Sequence, residues 1–195
     1  MKKLFLILLL ILLINTSCFA PLEPEVFIDN FSMEDTAEKE QVDYLKIDTP
    51  SPLWSDDTTI IIDKINVNEK LKRADVKDET SNLSELDEYP IWISTTSFFG
   101  DSGLSAIIGH RQWGITPKVF AKLDELEFGD IVFINEFKYI VQYTETIDTE
   151  EIYKAYDDLN KQFYENNISG LMLITCTPYG TSLKRLFVIA KEEVK

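Results

Sequence analysis

A chain of 195 residues carrying a formal net charge of −15 is long enough for one domain with a sizeable core once a leader is set aside, and cramped for two. The charge argues against nucleic acid as a partner, because phosphates would be repelled. With one histidine and two cysteines there is no Cys/His cluster for zinc, no Gly-rich phosphate loop and no internal repeat, so no metal and no cofactor is expected.

In chain order, Met1-Lys2-Lys3 supplies a positive end and Leu4 to Ile14 an unbroken apolar run, so residues 1–20 read as a signal or anchor leader that takes the chain out of the cytoplasm. The run is too short to span a bilayer, although extension through Asn15-Thr16-Ser17-Cys18-Phe19-Ala20 reaches about 20 residues. Two modes of membrane attachment stay open: lipidation at Cys18, or an uncleaved anchor. Residues 21–57 form an acidic, Pro-containing spacer that holds the domain off the membrane or serves solubility. Within it, Thr49-Pro50-Ser51-Pro52-Leu53-Trp54 reads as a stiff linker with one anchoring aromatic, and residues 45–57 are a lid candidate.

From residue 58 to 195 the chain breaks into short β-rich runs separated by turn signals, which predicts a mainly β domain, a closed antiparallel-rich barrel or sandwich. Strands are expected at Thr59–Asn66, Ile91–Ser94, Ser105–Gly109, Asp130–Asn135, Lys138–Thr146, Leu171–Thr175 and Lys184–Lys191. Helices are expected at Lys118–Leu126, where Val119, Phe120, Leu123 and Leu126 fall at helical spacing, and around Ala155–Tyr164. The last two strands, joined by Thr177–Leu183, would be neighbours.

Cys176 follows the apolar run Leu171-Met172-Leu173-Ile174 and precedes the turn Thr177-Pro178-Tyr179-Gly180, an arrangement that carries a thiol to a sheet edge. A thiol is a weak nucleophile at its unperturbed pKa of about 8.5, and an imidazole or guanidinium beside it favours the thiolate. Arg185 lies beyond it, and His110, the only imidazole, lies upstream in Ile107-Ile108-Gly109-His110-Arg111. Taken singly, a lone Cys is more often an inert core residue, a lone His structural, and a strand Arg solvated. If Cys18 belongs to the leader, Cys176 is the sole thiol of the exported domain and has no disulfide partner there.

The stretch Ile174-Thr175-Cys176-Thr177-Pro178-Tyr179-Gly180 with Arg185-Leu186-Phe187-Val188 resembles the Cys-to-Arg signature of the sortases, bacterial cysteine transpeptidases of the cell surface. Its wording is most similar to the pilin-polymerising class C. Ile107-Ile108-Gly109-His110-Arg111 resembles the family's histidine segment, followed by Val119-Phe120-Ala121-Lys122-Leu123 and Gly129-Asp130 before a strand. The resemblance runs from about Ile60 to Lys191 and implies one closed barrel of about seven to eight strands with two or three short helices.

It also implies roles. Cys176 would attack the Thr carbonyl of a sorting signal such as Leu-Pro-x-Thr-Gly, His110 would act as general acid and base, worth about 10²–10⁴-fold, and Arg185 would donate to the oxyanion, worth about 3–4 kcal/mol. Thr175 and Thr177 are candidate substrate contacts. Partners would be surface proteins or pilins bearing such signals, and an amine of a peptidoglycan precursor or a pilin as acceptor. The alternatives are a surface barrel that binds peptide without catalysis, with Cys176 structural, and a thiol hydrolase using water. A papain-type arrangement is disfavoured because His110 precedes Cys176. Class C sortases usually carry an Asp-Pro-aromatic lid motif, and this chain has no Asp-Pro dipeptide.

Overall fold

The computed structural model describes residues 54–74 and 84–193, so the leader, Cys18 and most of the spacer lie outside the described residues. Strand β1 (Thr59–Ile62) alternates burial along TIII, with Ile60 and Ile62 wholly inside. It stops short of the expected Asn66. Asp63–Ile65 forms a 3-10 turn, and Asn66 takes a left-handed φ of 58° that reverses the chain, a conformation Asn tolerates through its short polar side chain. The chain then returns as β2 (Val67–Lys70), antiparallel to β1.

After buried Leu71 come β3 (Lys72–Ala74), β4 (Ile91–Ile93) and β5 (Gly103–Ile108), then a small hairpin of β6 (Gln112–Trp113) and β7 (Thr116–Pro117). β8 (Ile131–Ile134) and β9 (Phe137–Asp148) lead into helix α1 (Ile152–Glu165), and β10 (Ser169–Thr177) and β11 (Lys184–Glu192) complete the described chain. The main sheet is nine-stranded in the order β2-β1-β8-β9-β11-β10-β5-β4-β3. Its two end strands, β2 and β3, are separated only by Leu71, whose N–H donates to Thr58 O at 2.8 Å, so the sheet rolls round into a nearly closed, barrel-like shape. The fold is therefore the mainly β barrel expected, with β2, β3 and the short hairpin strands β6 and β7 as strands the sequence pattern did not mark.

Side-chain alternation gives the sheet two apolar faces. Leu171, Leu173, Leu186, Val188, Ile107, Val132 and Tyr139 fill the interior of the roll. Met172, Ile174, Phe187, Ile189, Leu104 and Ala106 form a second cluster on the opposite face, covered by Ile152, Ala155, Tyr156, Leu159 and Phe163 of α1, an apolar stripe at helical spacing. Tyr156 Oη donates to Leu104 O at 2.9 Å and Asn160 Oδ1 accepts from Leu104 N at 2.8 Å, fastening α1 to β5.

β9 serves both faces. Its register against β11 passes from Tyr143↔Ile189 to Val141↔Ala190, leaving Gln142 as the extra residue of a bulge. Because side-chain direction has period two, that residue moves Tyr143 and Ile147 to the α1 side while Tyr139 and Val141 stay inside.

The helix expected at Lys118–Leu126 is not an α-helix. Phe120 N donates to His110 O rather than into a helical ladder, and the bonds Ala121 N to Lys118 O, Leu123 N to Phe120 O and Glu125 N to Lys122 O are of the 3-10 type. The apolar residues picked out by spacing are nonetheless inside: Phe120, Leu123 and Leu126 are buried. Trp54 stacks on Trp92 with ring centroids 5.3 Å apart and packs against the interior cluster, the anchoring aromatic expected of the spacer. Residues 45–53 of the lid candidate lie outside the described residues.

Candidate active site

β10 sits between a parallel neighbour, β5, and an antiparallel one, β11. Both pairings bring motif residues to one end of the sheet. In the β10–β11 ladder Cys176 stands opposite Arg185, and directly opposed residues of an antiparallel pair project from the same face. In the β5–β10 ladder the last paired residues are Ile108 and Ile174, and Gly109 N closes it by donating to Ile174 O at 3.1 Å. His110, just beyond the end of β5, and Cys176, still within β10, each lie two residues past that pair, where the paired strands before them are about 4.8 Å apart.

Past Ile108, side chains take over from the backbone ladder. Thr175 Oγ1 donates to Gly109 O at 2.8 Å, Arg111 Nη1 donates to Thr177 Oγ1 at 3.3 Å, and Gly180 N donates to Gln112 Oε1 at 2.6 Å. Residues 109–112 are thus fastened alongside residues 175–180. Of the two threonines expected to touch substrate, Thr175 is buried with its hydroxyl committed to Gly109 O, and Thr177 is half-buried and receives Arg111.

Gly109 has a local reason to be glycine. A Cβ there would lie 2.5 Å from Cδ2 of Phe120, itself wholly buried, whose N–H donates to His110 O at 3.0 Å. The ring of Phe120 therefore packs against the bare backbone just before the histidine.

Cys176 is a free, half-buried thiol. His110 is about a quarter exposed, with Nε2 3.4 Å from Asp87 Oδ1 and its ring 5.5 Å from that of Trp113. Asp87 is a residue the sequence reading did not find. It ends a 3-10 turn, Ser84–Asp87, in an acidic stretch that reads as solvated surface, and its own carbonyl accepts from Lys118 Nζ at 2.7 Å. The carboxylate is more than half exposed, so it orients the imidazole with modest energy.

Arg185 Nη1 donates to Ser182 O at 2.9 Å and Lys184 O at 3.1 Å, with Thr149 Oγ1 at 3.5 Å. It makes no ion pair among the described residues, and a guanidinium has five donors in a planar fork, so Nη2 and Nε remain for another acceptor. The Thr177–Pro178 peptide is cis, and Gly180 takes φ 86° in the turn that leads to β11.

A half-buried thiol, an imidazole and an ion-pair-free guanidinium lie toward one end of the rolled β-sheet, and the family and fold place the chain among cysteine transpeptidases. A family model for the Sortase domain matches residues 60–193, and the chain belongs to the sortase family. Among solved structures it is similar to sortase C-1 of Actinomyces oris, at 26% identity over 71% of this chain and 74% of that one, with a TM-score of 0.58. It is likewise similar to sortase C1 of Streptococcus agalactiae, at 28% identity over 71% and 67%, with a TM-score of 0.55. A lid mutant of sortase A from Corynebacterium diphtheriae shares the fold at 20% identity over 72% of each chain, with a TM-score of 0.58. No curated protein matches.

Proposed function

We propose that this sortase cleaves a Leu-Pro-x-Thr-Gly-like sorting signal with Cys176 as nucleophile, His110 as general acid and base, and Arg185 as oxyanion donor, and passes the acyl group to an amine. The observation that carries the reading is the position of β10, flanked by the strand that leads to His110 and the strand that holds Arg185. The Cys176 thiolate Sγ adds to the Thr carbonyl, whose oxygen gains the charge that the Arg185 fork would receive. The C–N bond to Gly then breaks as the imidazolium of His110 hands its proton to the leaving amine. A thioester on Cys176 remains, and the neutral imidazole takes a proton from the incoming amine as its nitrogen attacks, expelling the thiolate.

The Thr-Cys-Thr-Pro-Tyr-Gly wording and the likeness to the two sortase C structures support a pilin-type enzyme whose acceptor is a pilin lysine, with a peptidoglycan cross-bridge amine as the other acceptor of the right chemistry. Attachment to the outer face of the membrane through residues 1–20 goes with this reading. Among the described residues no helix is long and apolar enough to cross a membrane.

The test is Cys176→Ala. The variant is expected to fold normally, to lose thiol labelling of the exported domain, and to lose all cleavage of a sorting-signal peptide. Cleavage surviving in the Ala variant would overturn the proposal. Release of the Gly fragment with no acyl transfer to a supplied primary amine would favour the hydrolase.

A further inference from the structure

Arg111 follows the histidine directly, and nothing in the proposed reaction uses it. Its environment is unusual for a strand-end arginine. The residue is only 6% exposed, Nη2 is ion-paired to Asp124 Oδ2 at 2.6 Å, Nη1 donates to Thr177 Oγ1 at 3.3 Å, and the guanidinium lies over the Tyr179 ring, 5.5 Å from its centroid. Nε is buried with no hydrogen-bond partner among the described residues. Burying a charged group with one donor unpaired opposes folding, and an apolar residue of similar volume would fill the space without that penalty. The group therefore does something in that place beyond filling it.

What it touches says what. Asp124 lies in the 3-10 turn just after Phe120, the residue that fixes the backbone of Gly109 and His110. Thr177 and Tyr179 lie in the segment that follows Cys176. One planar side chain thus joins the three segments on which the imidazole and the thiol depend, at the point where the β5–β10 backbone ladder has ended. Thr175 before it and Gln112 after it make single bonds between the same two segments, but Arg111 alone among these also reaches the Asp124 turn.

We infer that Arg111 is a positioning residue that sets His110 against Cys176 for proton transfer, without touching substrate. The inference rests on the assignment of Cys176 and His110 above, and failure of that assignment would show separately, as cleavage surviving in Cys176→Ala. A lysine in its place keeps a positive charge for Asp124 but lacks the second arm of the fork. Misplacement of reacting groups by about 1 Å can cost on the order of 100-fold in rate.

The experiment measures steady-state cleavage of a sorting-signal peptide, thermal midpoint, and alkylation of Cys176 by iodoacetamide, a reaction in which the thiol needs no imidazole to protonate a leaving group. Arg111→Lys and Thr177→Val, each alone and combined, are compared with the wild type. The expected result is a fall in kcat of about 10- to 100-fold for Arg111→Lys, with KM and the alkylation rate within about threefold. The double variant should be no slower than the slower single, since both remove one contact. Wild-type kcat in Arg111→Lys would overturn the inference. So would additive losses in the double variant, or a parallel fall of kcat, alkylation rate and thermal midpoint, which would mark Arg111 as a structural ion pair only.

Discussion

The two sides of the site are held by different means. The thiol side is a backbone construction: Cys176 and Arg185 face each other inside a continuous antiparallel ladder that runs from Gly170↔Lys191 to Thr177↔Lys184, and their relative placement is set by register. The imidazole side begins where a ladder ends, and His110 is placed by Phe120 packing on Gly109, by the Thr175, Arg111 and Gln112 bonds, and by Asp87. A ladder distributes its strength over many equivalent bonds, so single side-chain changes leave it in place. A cluster of individual side-chain contacts has no such redundancy, and changes on the histidine side should propagate to the chemistry more readily than equivalent changes on the thiol side.

That contrast can be pressed at three points. Removing the imidazole itself, His110→Ala, should lower kcat for peptide cleavage by about 10²–10⁴-fold while alkylation of Cys176 continues; wild-type turnover would make His110 structural. Gly109→Ala leaves every catalytic group intact but drives a Cβ into Phe120, and should cost on the order of 100-fold in kcat. Adding Phe120→Leu to it should restore part of that loss, and a double variant no faster than Gly109→Ala would show that the clash is not the cause.

On the ladder side, Arg185→Lys keeps the register and the charge and loses only the fork, for which a fall in kcat/KM of at least about tenfold is expected. Arg73→Lys is its control. Arg73 lies with its guanidinium 5.7 Å from the Trp92 ring centroid, so lysine there should lower stability by about 0.5 kcal/mol and leave turnover unchanged. Equal turnover in both lysine variants would reduce Arg185 to a strand residue.

The sequence showed the thiol side better than the imidazole side, for the same physical reason. β10 and β11 are long apolar runs parted by a turn through Pro178-Tyr179-Gly180, and local signals suffice to pair them. The parallel pairing of β5 with β10 leaves no local trace, because its partners lie far apart in the chain with β8, β9 and α1 between them. Phe120, Leu123 and Leu126 suggested an α-helix, yet their spacing of three is the period of the 3-10 turns that form. β2 and β3 went unmarked because Val67-Asn68-Glu69-Lys70 and Lys72-Arg73-Ala74 are mostly polar or half-exposed, as suits strands at the ends of a sheet. Asp87 and Arg111 carry no pattern at all. One sits in an acidic stretch and the other beside a histidine, and only tertiary contacts distinguish them from solvated charges.

The order of strands also bears on how the molecule is assembled. β11 comes last among the described strands, yet in the sheet it lies between β9 and β10. Without it, β2-β1-β8-β9 and β10-β5-β4-β3 would meet only through Leu71, with β9 and β10 as open edges and nothing paired opposite Cys176. An emerging polypeptide cannot therefore complete this sheet until β11 is available. Until then β9 and β10 stand as open edges, exposed to aggregation, and the insertion of β11 between them completes the sheet and brings Arg185 opposite Cys176 in the same step.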